Sequence, residues 1–421
     1  MIQKETLKQV LLDNRREVER HVVVPRDIHM DGFANYVLIG ARRAGKSYLL
    51  YQEIQHCLES GVTWDEMLYV NFEDERLAGM EAGDLNLLLE VHGSLSAHRP
   101  ILFLDEIQNV VGWDKFARRL ADSEYRVYIT GSNAKMLSSD VATTLGGRYV
   151  TVEVYPYSFR EYLRALKVSH DSLSLSSTEG RAAVERAFDA YLHFGGFPEC
   201  ALMPSKRDYL MSVYQKIYLS DIASRNKVDN IFALRVLFRK LAESVKQPVS
   251  FTRLAHIVSS IGAKVGKATL INYIAYAMDA FLIFPVKNIA DNLTQRETSP
   301  KYYFIDNGLI SLLTLDVDTS LLENMVAVEL MRRYGRDERV FFYNRSVEVD
   351  FYIPDERLAI QVSHSPHKSD ETWQRETSAL VSLSKRLTCE RLLILSYEEE
   401  GVEQVDGHTI EILPVHRWLL G

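Results

Sequence analysis

The chain has 421 residues, room for two or three domains at about 150 residues each. Hydrophobic residues make up 47% and charged residues 25%, which excludes a disordered chain and gives a globular protein with real cores. Its 49 Lys and Arg against 57 Asp and Glu leave a net charge of −8, which excludes a protein coated along its length with nucleic acid or anionic membrane but leaves room for a local basic patch.

The opening MIQKETLKQV has no apolar run of the signal-peptide kind, and no segment approaches the ~18 uninterrupted apolar residues of a membrane helix. Cys57, Cys200 and Cys389 are widely spaced and fit neither a disulfide framework nor a zinc site. The expectation is a cytoplasmic protein with reduced thiols and no membrane partner.

In residues 2–22, Ile2, Leu7, Val10, Leu11 and Val18 recur at helical spacing and predict an amphipathic helix, ended by Val22-Val23-Val24-Pro25. The apolar run 36–39 meets Gly40 and predicts a buried strand entering a glycine turn, with a helix over 49–58. Further strands are expected at 67–72, 101–104 and 126–130, with helical segments between them. Strands alternating with helices predict an α/β fold, a parallel sheet covered by helices on both faces. The serine-rich tract 169–177 reads as a surface loop, and YLHFGGFP at 191–198 as a break after a helix. From 207 to 284 the pattern is mostly helical. Strands follow at 302–305, 341–343, 349–353 and 359–362, then a helix at 381–387 and a last strand at 392–395.

Residues 40–47 read GARRAGKS, a complete match to G-x-x-x-x-G-K-[ST] between a strand and a helix. Gly40 and Gly45 allow the loop to curl so that backbone N–H groups face phosphate oxygens, and the following helix adds its positive end. The candidate nucleotide contacts are Gly40, Ala41, Arg42, Arg43, Ala44, Gly45, Lys46, Ser47 and Tyr48. Lys46 is expected to reach the β- and γ-phosphates of ATP, and Ser47 to place its hydroxyl on Mg²⁺. The run ILFLDE at 101–106 delivers two acids at a strand end. Asp105 is the candidate Mg²⁺ ligand, through water, and Glu106 the general base. Standing alone, this pair would read as a solvated acidic turn; following a P-loop, it does not.

After the strand at 126–130, Asn133 or Ser132 is the candidate for touching the γ-phosphate. Arg148, behind Gly146-Gly147, is a candidate arginine finger, in cis or from a neighbouring subunit, so the oligomeric state stays open. A surface arginine is the plain alternative. No N-K-x-D tetrad is placed to read guanine, which disfavours GTP.

These segments together resemble prokaryotic AAA+ ATPases with a C-terminal domain of unknown function. The resemblance rests on GARRAGKS, LYVNFEDERL (68–77), ILFLDEIQNV, ITGSNAKML, LGGRYVTVEVYPYSFREYL (145–163), FGGFPE (194–199), IYLSDIASRN (217–226), KYYFIDNGL (301–309) and EVDFYI (348–353). It implies an ATPase domain over 1–205, a helical and winged-helix-like region over 206–315, and a restriction-endonuclease-like α/β domain over 316–421.

Two features of the C-terminal half bear on those implications. Residues 240–287 hold six basic and two acidic residues, a net +4. The order helix 251–260, turn Ile261-Gly262, helix 267–281 and strand 302–305 is that of a winged helix-turn-helix, with Lys264, Lys267 and Asn272 at the DNA-facing end. The plain alternative makes Tyr273, Tyr276 and Phe281 core and the partner a protein. The tail resembles a PD-(D/E)xK nuclease, in which two carboxylates hold a metal and a lysine assists the water. Asp350 is expected at a strand end, with Glu323 and Glu329 on the preceding helix. Gln361-Val362-Ser363 stands where the pattern wants Glu-x-Lys, and Lys368 occupies a different backbone position. The expectation is therefore a nuclease fold without cleavage chemistry. The chain as a whole reads as an Mg²⁺-dependent ATPase switching a macromolecular partner, DNA or protein. The alternative is a nucleotide-gated binding module with little turnover.

Overall fold

The computed structural model describes residues 2–132, 136, 139–263, 265–315, 318–336 and 338–421. The chain separates into two compact units, Met1–Tyr155 and Pro156–Gly421. Among the described residues no helix is long and apolar enough to cross a membrane.

The first unit opens with the helix Lys4–Arg20, which buries Leu7, Val10 and Val18 of the expected stripe. Five strands follow: β1 (Asn35–Ile39), β2 (Met67–Asn71), β3 (Ile101–Asp105), β4 (Val127–Gly131) and β5 (Tyr149–Glu153). All pairings are parallel, in the order β2-β3-β4-β1-β5. Four of the strands are near-continuous apolar runs, as a sheet covered on both faces requires. β5 is not among the expected strands. It is an edge strand whose residues stay partly exposed, so it lacks the apolar run that marks its neighbours. The registers bring Ile39, Gly131, Asp105 and Asn71 to one edge of the sheet, the C-terminal edge, where such folds bind ligands.

The second unit contains β6 (Ile283–Asn288), β7 (Lys301–Phe304), β8 (Phe341–Asn344), β9 (Glu348–Ile353), β10 (Leu358–Val362), β11 (Arg391–Ser396), β12 (Gly401–Val405) and β13 (His408–Pro414). They form one mixed sheet in the order β12-β13-β11-β10-β9-β8-β6-β7. Because β6 pairs with β8, residues on both sides of the expected 315/316 boundary share a single sheet. The expected boundary at 205 also differs from the division at 155. Segments just beyond 155 bond deep inside the second unit, as Tyr157 N–H does to Gly196 O at 2.7 Å. β11 is not the last strand. The hairpin β12–β13 follows, turning at Asp406-Gly407 with both residues at positive φ (49° and 79°). That Asp-Gly pair was a legible hairpin signal.

The serine tract holds a short helix, Ser172–Ser176, rather than only loop. Asp171 caps it by accepting from Ser174 N–H at 2.8 Å, and Ser177 caps the helix Thr178–Phe194 in the same way. Farther on, the helix Lys206–Gln215 runs into a π-helix, Lys216–Ser224, followed by the helices Ile231–Glu243, Phe251–Ser260 and Lys267–Asp279. Tyr273 and Phe281 are core; Lys267 and Asn272 are exposed. Lys264 lies outside the described residues.

The FGGFP and FIDNG segments interlock. Asp306 accepts the N–H groups of Gly196 at 2.7 Å and Gly308 at 2.9 Å, while Asn307 donates to the carbonyls of Leu192 and Leu321, each at 2.9 Å. A Cβ on Gly195, which sits at φ 72°, would lie 1.8 Å from Asp306 Oδ1. Burial pushes the Asp306 carboxyl up to about 7 despite those two N–H donors. These motifs are the keystone of the second unit.

Candidate functional site

β1 is followed directly by Gly40, where a Cβ would lie 2.2 Å from Val154 O, so only glycine lets the loop leave the sheet beside the chain that follows β5. Gly45 (φ 97°) opens the helix Lys46–Glu59, whose first turn has no side-chain cap. Uncapped N–H groups at a helix start form an anion site. Lys46 is buried, and its ammonium donates to Gly40 O at 3.2 Å and Ala41 O at 3.1 Å, with Glu106 Oε1 at 3.7 Å. The lysine is folded back over the cradle it closes. Arg26, from the segment after the first helix, braces the loop through Ala44 O at 3.0 Å and Tyr155 O at 2.7 Å. Arg42 pairs with Glu73 at 3.3 Å, and the half-exposed Tyr48 donates to or accepts from His21 Nδ1 at 3.0 Å.

β4 lies between the loop strand β1 and the acidic strand β3, and its Thr130 joins the acid pair. Thr130 Oγ1 accepts the Glu106 N–H at 2.8 Å and donates to Asp105 Oδ1; Tyr69 OH donates to Asp105 Oδ2 at 3.0 Å and meets Tyr51 OH at 3.3 Å. Burial and the neighbouring Glu106 charge push the Asp105 carboxyl up to about 6, against hydrogen bonds from Thr130, Ser47 and Tyr69. Glu106 has φ 53°, a strained value for a residue with a side chain. Burial raises its carboxyl, but Lys46, Gln108, Ser132 and Arg42 outweigh burial and hold it below the ordinary range. Gln108 Oε1 is buried here without a hydrogen-bond partner among the described residues. An uncapped helix start, a retracted lysine and an orphaned polar atom on one sheet edge fit a nucleotide with Mg²⁺.

The structure thus brings together the loop, Lys46, Ser47, Asp105, Glu106 and Ser132. Asn133 lies outside the described residues. Arg148 is not brought to this edge. It precedes β5, whose Tyr149 is in register with Asn35 at the start of β1, so it sits at the N-terminal edge of the sheet and pairs there with Asp122. A role at the phosphates of its own chain is ruled out by that register. Thr130, Tyr69, Gln108 and Arg26 are absent from the expected set. Only Thr130 left a trace, as a polar residue at the end of an apolar strand.

The second unit holds a buried lysine of another kind. Lys301 on β7 has Glu348 Oε1 at 3.0 Å, Glu323 Oε1 at 3.3 Å and Asp350 Oδ1 at 3.5 Å. Burial disfavours its charge, but the three carboxylates outweigh burial and keep it protonated. Tyr303 OH donates to Glu323 at 2.7 Å, and Val362 N–H to Asp350 Oδ2 at 2.8 Å. Burial and Glu323 push Asp350 up to about 7 against the pull of Lys301. A cavity of about 490 Å³ opens onto Glu323, Glu348, Asp350, Gln361 and Arg375.

Asp350 lies inside β9, not at its end. Gln361 spends its amide on Asp350 N–H, at 2.9 Å, and on Glu376. Glu329 is turned to Arg332 and Arg333, and Lys368 is on an exposed turn. Among the described residues no three His, Cys, Asp or Glu side chains are grouped to hold a metal ion.

Comparisons with known proteins agree with the first-unit geometry. A model of the AAA domain matches residues 33–163, and one described as a domain of unknown function, DUF8612, matches 185–336. The uncharacterized protein MJ1544 of Methanocaldococcus jannaschii is 34% identical over 436 residues, covering 100% of this chain and 96% of that protein. An uncharacterized protein of Haemophilus influenzae is 31% identical over 395 residues, covering 91% of this chain and 94% of that protein. Among solved structures, the Orc1 protein of Aeropyrum pernix in complex with DNA aligns at a TM-score of 0.29 and 16% identity, covering 78% of this chain and 93% of that one. So distant a likeness carries no argument.

Proposed function

The chain belongs to the same family as the Methanocaldococcus protein MJ1544 and carries an AAA domain, and from that premise we propose that it is an Mg²⁺-dependent ATPase that switches a macromolecular partner. The carrying observation is the convergence of Lys46, Asp105 and Glu106 on the sheet edge where the uncapped helix begins. Lys46 exchanges its two backbone carbonyls for phosphate oxygens. Ser47 and Asp105 are the residues that would hold Mg²⁺, which when bound would offset the charge of the phosphates. Glu106 orients the attacking water and takes its proton. Ser132 and Gln108 supply polar atoms on the same side. Steady-state ATP turnover tests this: Lys46→Ala loses binding, whereas Glu106→Gln keeps binding and loses turnover. A Glu106→Gln chain hydrolysing at the wild-type rate removes Glu106 as the base.

A second reading, a nucleotide-gated binding module with little turnover, has one observation in its favour. The Lys46 ammonium and Gln108 hold Glu106 below the ordinary carboxylate range, which makes it a weak base. Slow turnover with tight nucleotide binding is its signature.

For the second unit, the reading supported is a nuclease-like fold without cleavage chemistry. Gln361 and Ser363 replace the acid and lysine, and the Lys301 ammonium sits among the carboxylates where a metal would need to be. Metal-dependent hydrolysis of plasmid DNA, abolished by Asp350→Ala, overturns this.

A further inference from the structure

The charge of the chain is strongly segregated. Residues 206–267 hold twelve Lys and Arg against four Asp and Glu, a net +8, so the remainder of the chain carries −16. Two of those four acids are engaged locally, Asp221 with Arg225 at 3.4 Å and Glu243 with Lys240 at 3.2 Å. Lys216, Lys227, Arg235, Arg239, Arg253 and Lys267 are exposed and have no carboxylate partner among the described residues. A stabilising surface network would pair such charges; here they stand open.

The best-defined part of this surface is the helix Ile231–Glu243. It buries Leu234, Leu237, Phe238 and Leu241, which leaves Phe232, Arg235 and Arg239 as a single outward stripe at i, i+3 and i+7. The Arg235 guanidinium lies 5.4 Å from the Phe232 ring centroid. Tyr218 of the adjoining π-helix fixes the start of this helix by donating to Ile231 O at 2.7 Å, and stacks on Tyr214 at 5.6 Å. Leu219, Ile231 and Phe232 remain 45%, 44% and 44% exposed. The face therefore interleaves open cations with uncovered apolar and aromatic groups.

We propose that this face, centred on Phe232, Arg235 and Arg239, binds single-stranded DNA. Phosphates answer the cations, and unpaired bases answer the exposed ring and aliphatic groups, which the phosphate rim of a duplex leaves facing water. The proposal names the partner left open above and rests on that reading for its role as a switch; the binding itself needs no ATP.

The test is fluorescence anisotropy of labelled poly-dT with the full chain, without nucleotide, across a salt series. Binding is expected to weaken with salt. Arg235→Glu with Arg239→Glu is expected to weaken it at least about tenfold and to flatten the log–log salt slope by about 1.4, two phosphate contacts at ~0.7 each. The Arg235→Lys, Arg239→Lys pair keeps most of the affinity. Phe232→Ala weakens binding about tenfold with the slope unchanged, the mark of a lost stacking platform. Unchanged circular dichroism in the variants shows that they fold. No binding at low salt, binding indifferent to charge reversal, or a duplex bound as tightly as the single strand each overturns the proposal. A chain that binds poly-dT but hydrolyses no ATP sinks the ATPase reading alone; one that hydrolyses ATP but binds no DNA sinks this one alone.

Discussion

Among the described residues each unit buries one lysine beside acidic groups, and the two sit among opposite kinds of partner. Lys46 leans on two backbone carbonyls and one carboxylate at 3.7 Å. Those carbonyls are dipoles that a phosphate can replace at a net gain. Lys301 is ringed by three carboxylates within 3.5 Å. Its charge is balanced where it stands, and nothing that enters the cavity offers it a better partner. Burial alone does not make a lysine functional; what matters is whether its partners are weaker than the ligand that would displace them.

The sharpest way to break this contrast is to remove each lysine. Lys46→Ala is expected to cost nucleotide affinity about 100-fold or more, with little change in melting temperature. Glu106→Gln should lower turnover by about 10²–10⁴ while calorimetry still detects nucleotide. Lys301→Met inverts the pattern. It leaves three carboxylates facing one another and is expected to destabilise the second unit by about 3–5 kcal/mol, read by urea denaturation, with nucleotide affinity retained.

The Lys301→Met loss has a definite pH sign. Asp350 is already raised to about 7 from its ordinary 3.8, so the folded state holds its proton more tightly than the unfolded one. Its contribution is complete below pH 3.8 and is lost as pH rises through 7. Removing the Lys301 charge raises Asp350 further, so the variant should recover stability on acidification to about pH 5 and be worst near pH 8.

Smaller effects separate scaffold from site. Gly195→Ala drives a methyl into Asp306 at a positive-φ position and is expected to cost about 2–3 kcal/mol in the second unit, leaving ATP binding intact. Tyr69→Phe removes one donor from Asp105 and should cost about 1 kcal/mol. It also has a pH readout. Asp105 must ionise to hold Mg²⁺ and sits at about 6, so Mg²⁺-dependent nucleotide binding should fall about tenfold per pH unit below that value. In Tyr69→Phe the fall should begin at higher pH.

The first unit was largely legible in the sequence because its signals are local. An apolar run, a glycine turn and a Lys-Ser pair are contiguous, and a buried parallel strand announces itself by composition. What was missed there comes from register. Thr130 reaches Asp105 only because β4 lies between β1 and β3, and no local pattern reports a strand order. The same register takes Arg148 away from the phosphates of its own chain, because its Gly-Gly-Arg motif precedes its strand instead of following one. In the second unit Asp350 and Glu323 were found, Glu348 and the lysine were not, and Glu329 faces Arg332 and Arg333 instead. Lys301 lies on β7, far from the positions at which a nuclease lysine was sought. It meets Asp350 of β9 at 3.5 Å although β8 and β6 lie between their strands in the sheet order, a contact that no local pattern reports. The Asp-Gly hairpin was readable and overlooked.

The helix Val415–Leu420 carries a consequence for the order in which the molecule is made. Its Leu420 carbonyl accepts from Arg160 at 2.6 Å, and its Trp418 carbonyl accepts from Arg333 at 2.9 Å, whose guanidinium also lies 4.3 Å from the Trp418 ring centroid. Every strand of the first sheet lies within residues 35–153. A ribosome can therefore release a complete nucleotide unit while Arg160, already synthesised, waits roughly 15–50 s for its partner at residue 420. A chain cut after Pro414 would keep the first sheet whole and leave the second unsealed.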